Sequence, residues 1–105
     1  MNIKLLTIES MPANCSKVLG LVSSSCCVSK SLVGDVASNI KNWTVGGELT
    51  QYTELIDSTV EIVQDRLAQK AEKMGADAVI GIRMSTTQVS EGAAEIIIYG
   101  TAVSK

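Results

Sequence analysis

The sequence predicts an α+β fold in the order β-β-α-α-β-β, an antiparallel sheet packed on a long helix. Three observations carry this. Short apolar runs of strand character lie at both ends of the chain, two stretches with helical spacing lie between them, and the second of these keeps one apolar face from about Leu49 to Met74. With 105 residues, the chain is read as one domain, residues 1–105, with enough surface to bury for a real core.

The elements follow in order. Residues 2–8, "NIKLLTI", read as a first strand, and Met11 to Asn14, with the chain's one proline, as a turn. Residues 16–23, "SKVLGLVS", read as a second strand hairpinned to the first, and "SSSCCVSKS" extends it or loops. Residues 32–43 place Leu32, Val33, Val36, Ala37, Ile40 and Trp43 at helical spacing, with Ser31 as N-cap. Gly34 inside this stretch costs about 1 kcal/mol relative to Ala, so that helix leans on packing.

Gly46 and Gly47 read as the bend between the two helices. On the long helix, Tyr52, Leu55, Ile56, Val63, Leu67, Ala71 and Met74 share a face, and Lys70 and Lys73 suit its negative end. Gly75 fits the left-handed position just past a helix. The strand "ADAVIGIRM" follows, then a turn at Ser90-Glu91-Gly92, then the strand "AEIIIYGTAV", which makes a hairpin with it.

The last strand is apolar on both faces. Ala94, Ile96, Ile98, Gly100 and Ala102 alternate with Glu95, Ile97, Tyr99, Thr101 and Val103. In the second strand, Leu19 and Leu21 oppose Val18 and Val22. Two helices cover one face of such a sheet, and the other needs a partner, most simply another subunit.

Several function classes are disfavoured. Net charge is −2 with the basic residues scattered, which argues against nucleic acid as a partner. No apolar run is long enough to span a membrane, and the N-terminal patch, broken by Glu9, is short for a signal peptide. The chain is read as cytoplasmic. It has no histidine, the usual general base and a common metal ligand, and no nucleophile–base spacing, so no catalytic residue is assigned and a non-enzymatic role is expected.

The glycine pair raises the question of a phosphate cradle. No Walker or dinucleotide pattern surrounds it, and Glu48 places negative charge where an anion would sit. The three cysteines Cys15, Cys26 and Cys27 are the candidate metal ligands, for Zn(II) or Cu(I). On a strand the vicinal pair points to opposite faces, whereas in a loop it converges, and a hairpin brings Cys15 near. The ordinary alternative is three inert small hydrophobes. Asp57, Glu61 and Asp65 form an acidic line that reads as a solvated helix face.

Three segments, "VGGELTQYTELI", "AEKMGADAVIGIRM" and "YGTAVSK", in this order and spacing, resemble the YbjQ-like family of small uncharacterised proteins. "LVGDVASNIKN" and "VLGLVSS" also fit, so the resemblance covers nearly the whole chain. It implies a dodecin-like β-α-β-β core assembled as a homopentameric ring, and a heavy-metal-binding label without an established activity. The positions it carries over are Asp35, Gly46, Gly47, Tyr52, Gly75, Ala76, Ala78, Gly81, Gly100, Thr101 and Ala102, with Glu48 beside the glycine pair. Gly34 and Val60 stand where the family typically has arginine. The three cysteines match no family motif. The expected function is a homo-oligomeric module that binds a heavy metal or small ligand at subunit interfaces; the alternative is a ring that presents a surface to a protein partner.

Overall fold

The computed structural model describes residues 2–29, 44–45, 48–90 and 93–105. Its elements are β1 (Lys4–Leu5), β2 (Lys17–Ser29), β3 (Thr44–Val45), β4 (Glu48–Leu49), α1 (Thr50–Lys73), β5 (Ala78–Ser90) and β6 (Ala93–Ser104). The fold is α+β, with α1 packed on a four-stranded mixed sheet of order β1-β5-β6-β2.

The β5–β6 hairpin and the long helix form where the periodicity puts them. α1 closes on a two-bond C-cap: Ala76 N–H donates to the Ala71 carbonyl at 3.0 Å and Gly75 N–H to that of Glu72 at 2.9 Å. This arrangement needs a left-handed residue at its turn, and Gly75 supplies it with φ 86°. Val63, Leu67 and Ala71 are fully buried against Val22, Val79, Ile82, Ile96, Ile98 and Ala102. Ile56 and Met74, read as part of that face, are substantially exposed, because they lie toward the ends of the contact.

Three expectations are corrected. β1 does not hairpin with β2; it pairs parallel with β5, Lys4 opposite Ala78 and Leu5 opposite Val79, so the sheet is mixed rather than antiparallel. The N-terminal segment then follows the edge of β5, Leu6 N–H to the Val79 carbonyl at 2.8 Å and Ile82 N–H to that of Leu6 at 3.0 Å. Secondly, the segments flanking the glycine pair form a short antiparallel ladder, Thr44 opposite Leu49 and Val45 opposite Glu48. Glu48 therefore belongs to β4, and the first turn of α1 carries no acidic residue. Thirdly, a bulge between Val18 and Gly20 breaks the alternation of β2. Val18 pairs with Val103 and so lies on the face away from α1, not on that of buried Val22. The helix expected over 32–43 falls outside the described residues, as do Asp35, Gly46 and Gly47.

A second bulge, in β5 between Ile80 and Arg83, sits across β6 from the first. Gly81 takes φ 63° there. Gly100 faces it: a Cβ on Gly100 would lie 2.7 Å from Val79 Cγ1 and 2.9 Å from the Ile80 carbonyl oxygen. Only a residue without a side chain lets the bulged strand approach this closely.

Among the described residues, the sheet face away from α1 is covered at one end only. There Ala78, Ile80 and Val103 are buried with Cys15, and Leu6 packs on them. Beyond it the face is open. It carries Leu21, Ser23, Ser25 and Cys27 of β2, Thr101, Tyr99, Ile97 and Glu95 of β6, and Arg83, Ser85 and Thr87 of β5.

Candidate functional site

The three thiols occupy three different environments. Cys15 is buried in the small cluster under the N-terminal segment. Cys26, opposite Ile96, is half-buried and packs against the main core. Cys27, opposite Glu95, is exposed on the open face, with Sγ 3.9 Å from Glu95 Oε2. The vicinal pair thus lies on a strand and splits between its faces. A rise of about 3.3 Å per residue puts about 30 Å between Lys17, just after Cys15, and Cys26. Within one chain the three thiols do not meet, because the hairpin expected to join them is replaced by the β1–β5 pairing. Among the described residues no group of three acidic or thiol side chains converges. One chain therefore offers a soft donor and a hard donor side by side, Cys27 and Glu95, which falls short of the three or four ligands a thiolate metal site requires.

The matched glycines and alanines are placed by backbone geometry. Gly75 caps α1, Gly81 forms the β5 bulge, and Gly100 admits it. Ala76, Ala78 and Ala102 are buried, and Thr101 is half-buried beside Ile80. Tyr52 lies in the first turn of α1. Val60 packs against the main core. The acidic line Asp57, Glu61 and Asp65 is exposed along its length.

A concave site of about 490 Å³ lies where the N-terminal segment meets the end of α1 and the start of β5. Lys4, Asn14, Cys15, Glu72, Asp77 and Lys105 are among its lining residues. Its charges are mixed, and Asp77 already accepts the Lys105 N–H at 2.9 Å.

Residues that the periodicity left unassigned join the helix to the sheet. Lys70 Nζ donates to the Ser23 carbonyl at 2.8 Å, the Ser24 hydroxyl to the Val63 carbonyl at 2.7 Å, and Arg66 Nη1 to the Ser25 carbonyl at 2.9 Å. Three consecutive residues of β2 are thus clasped to α1. The register is geometric: four residues of helix rise about 6.0 Å, and two of strand about 6.6 Å. The i, i+4 pair of cations was the one available signal in the sequence. On the opposite edge, Arg83 bonds the Thr7 carbonyl at 3.1 Å and Glu9 at 3.0 Å.

No described helix is long and apolar enough to cross a membrane.

Comparison with known proteins fits this architecture. A crystal structure from Pediococcus pentosaceus, of a protein with unknown function belonging to the DUF74 family, superposes with TM-score 0.67 at 16% identity, covering 99% of this chain and 98% of that one. It shares the fold. A UPF0145 protein of Thermus thermophilus is 41% identical over 98% of this chain and 90% of its own length. One from Thermotoga maritima is 44% identical over 92% of each. None of these relatives carries an enzymatic name. The family model for YbjQ, described as "Putative heavy-metal-binding", matches residues 3–105. The chain therefore belongs to the YbjQ family of UPF0145 proteins.

Proposed function

We propose that the chain is a non-enzymatic cytoplasmic module that assembles with copies of itself, as a dodecin-like pentameric ring, and takes a heavy-metal ion or small ligand where subunits meet. The observation that supports it is the open sheet face. Leu21 is 74% and Val18 67% exposed, with Tyr99 at 41% beside them. Large aliphatics left this exposed on one sheet face cost a monomer solubility, and a second subunit laid over them removes that cost.

The same face bears on the ligand. Cys27 and Glu95 give two donors per chain, and a second subunit supplies the rest of a Zn(II) or Cu(I) set. Neither Cys15 nor Cys26 is as accessible. The cytoplasm keeps such thiols reduced. The other reading is a ring without ligand whose outer surface binds a protein partner.

Size exclusion with light scattering tests the assembly; a monomer at micromolar concentration would overturn it. Titration with Zn(II) and Cu(I), compared between the wild type and a Cys15→Ser/Cys26→Ser/Cys27→Ser variant, tests the ligand. Loss of stoichiometric binding in the variant supports the thiols as ligands. Equal binding removes them, and no binding by the assembled wild type favours the ligand-free ring.

A further inference from the structure

β2 is thirteen residues long and is the last strand of the described sheet. Only one of its sides pairs with β6. Among the described residues no strand pairs with its other side, and a strand edge of this length is a template for another strand. Ser23 and Ser25 are two residues apart and therefore turn their backbone groups to the same side. Their carbonyls are taken by Lys70 and Arg66 of α1, so that side is the one away from β6.

We propose that Arg66 and Lys70 lock the β2 edge against strand addition by a second copy of this chain. This goes beyond the ring reading and does not depend on it. The two side chains act in three ways. They occupy the acceptors an incoming strand needs, and they lie across its line of approach. They also set cation against cation. Antiparallel pairing of two β2 edges about Ser24 is self-complementary in the backbone, since each copy offers the same groups in reverse order. It also brings both copies' Arg66 and Lys70 into one small volume, where four like charges oppose the contact. A second copy is the occupant for which backbone geometry is complementary and charge is not, which is the pattern of an edge protected against itself. Ser24, between the two strand residues that the cations hold, fixes β2 to Val63 of α1.

The test uses the full chain with Arg66→Met and Lys70→Met together, which keeps the aliphatic stems and removes the donors and charges. The expected result is a folded variant, by circular dichroism, whose mass doubles or grows further with concentration relative to wild type. Amide exchange at Ser23 and Ser25 slows by about tenfold or more in the larger species. An Arg66→Lys/Lys70→Arg variant keeps the wild-type mass. A folded double variant with wild-type mass at every concentration overturns the proposal. So does growth that leaves Ser23 and Ser25 unprotected, since association then uses another surface. If the double variant does not fold, Lys70→Met alone decides by the same two readings.

Discussion

The Ser24 hydroxyl donates to the Val63 carbonyl oxygen at 2.7 Å, from the buried face of β2 into the middle of α1. Ser24 is a polar residue among aliphatics, 4% exposed, and this bond is what makes its burial tolerable. Ser24→Ala is expected to cost about 1 kcal/mol, seen as a melting temperature lower by about 5 °C. An unchanged melting temperature would show that the bond contributes nothing net.

Gly100 and Gly20 predict losses of different size and cause for the same substitution. A methyl at Gly100 meets Val79 and the Ile80 carbonyl, neither the far end of a flexible chain, so Gly100→Ala is expected to cost about 2–3 kcal/mol. Gly20 has open space around it and φ 130°, so Gly20→Ala carries backbone strain alone, about 1 kcal/mol. Urea unfolding of the two variants checks the order; a larger loss at Gly20 would reverse the assignment.

Leu21→Glu changes nothing in the core, because Leu21 is three-quarters exposed on the open face. It is expected to leave the fold and its melting curve intact in the subunit while reducing the mass of the assembly by light scattering. Ile56→Glu, an exposed aliphatic on α1, is the control that keeps the wild-type mass. Equal masses for wild type and Leu21→Glu would move the subunit contact off this face.

The Arg83–Glu9 ion pair is short, 3.0 Å, but both side chains are well exposed, 49% and 77%. Glu9→Gln is therefore expected to cost less than about 0.5 kcal/mol. Arg83→Ala also removes the bond to the Thr7 carbonyl. It is expected to free the N-terminal segment, read as faster cleavage before Ser10 in limited proteolysis. Equal cleavage rates in the two variants would mean that the backbone bonds of Leu6 and Ile8 to β5 hold the segment without Arg83.

The helix, its glycine cap and the β5–β6 hairpin were legible because each is written locally: a period of three to four along Val63, Leu67 and Ala71, a glycine just past it, and a short β-branched run, Ile96 to Ile98, after a turn signal. The apolar residues on both strand faces pointed to a face that α1 does not cover; among the described residues that face is mixed, with Leu21 and Tyr99 exposed among serines, threonines and charges. What the sequence did not show is set by partners far along the chain. Nothing in "NIKLLTI" says that it lies parallel to β5 rather than antiparallel to β2. The pairing of Val45 with Glu48 competes with a helical bend on equal local terms. The candidate metal ligands depended on that lost hairpin, so Cys15 and Cys27 separate once it is gone. Lys70 was read only as a charge at a helix end and Arg66 was given no role; what they do depends on the strand beside them.

Both bulges flank one short stretch of β6, Gly100 to Val103. The extra residue in β2 works as a phase inverter. Upstream of it, odd and even positions exchange inside for outside, which is why Val18 and Val22 part company. Deleting Leu19 would remove the bulge and leave Val18 opposite Val103 on the outer face, whereas an unbulged strand that kept Leu19 would swing Val18 inward and the other side chains before it to the opposite face. The length of this strand, counted to the single residue, is thus as much a part of the surface as its composition.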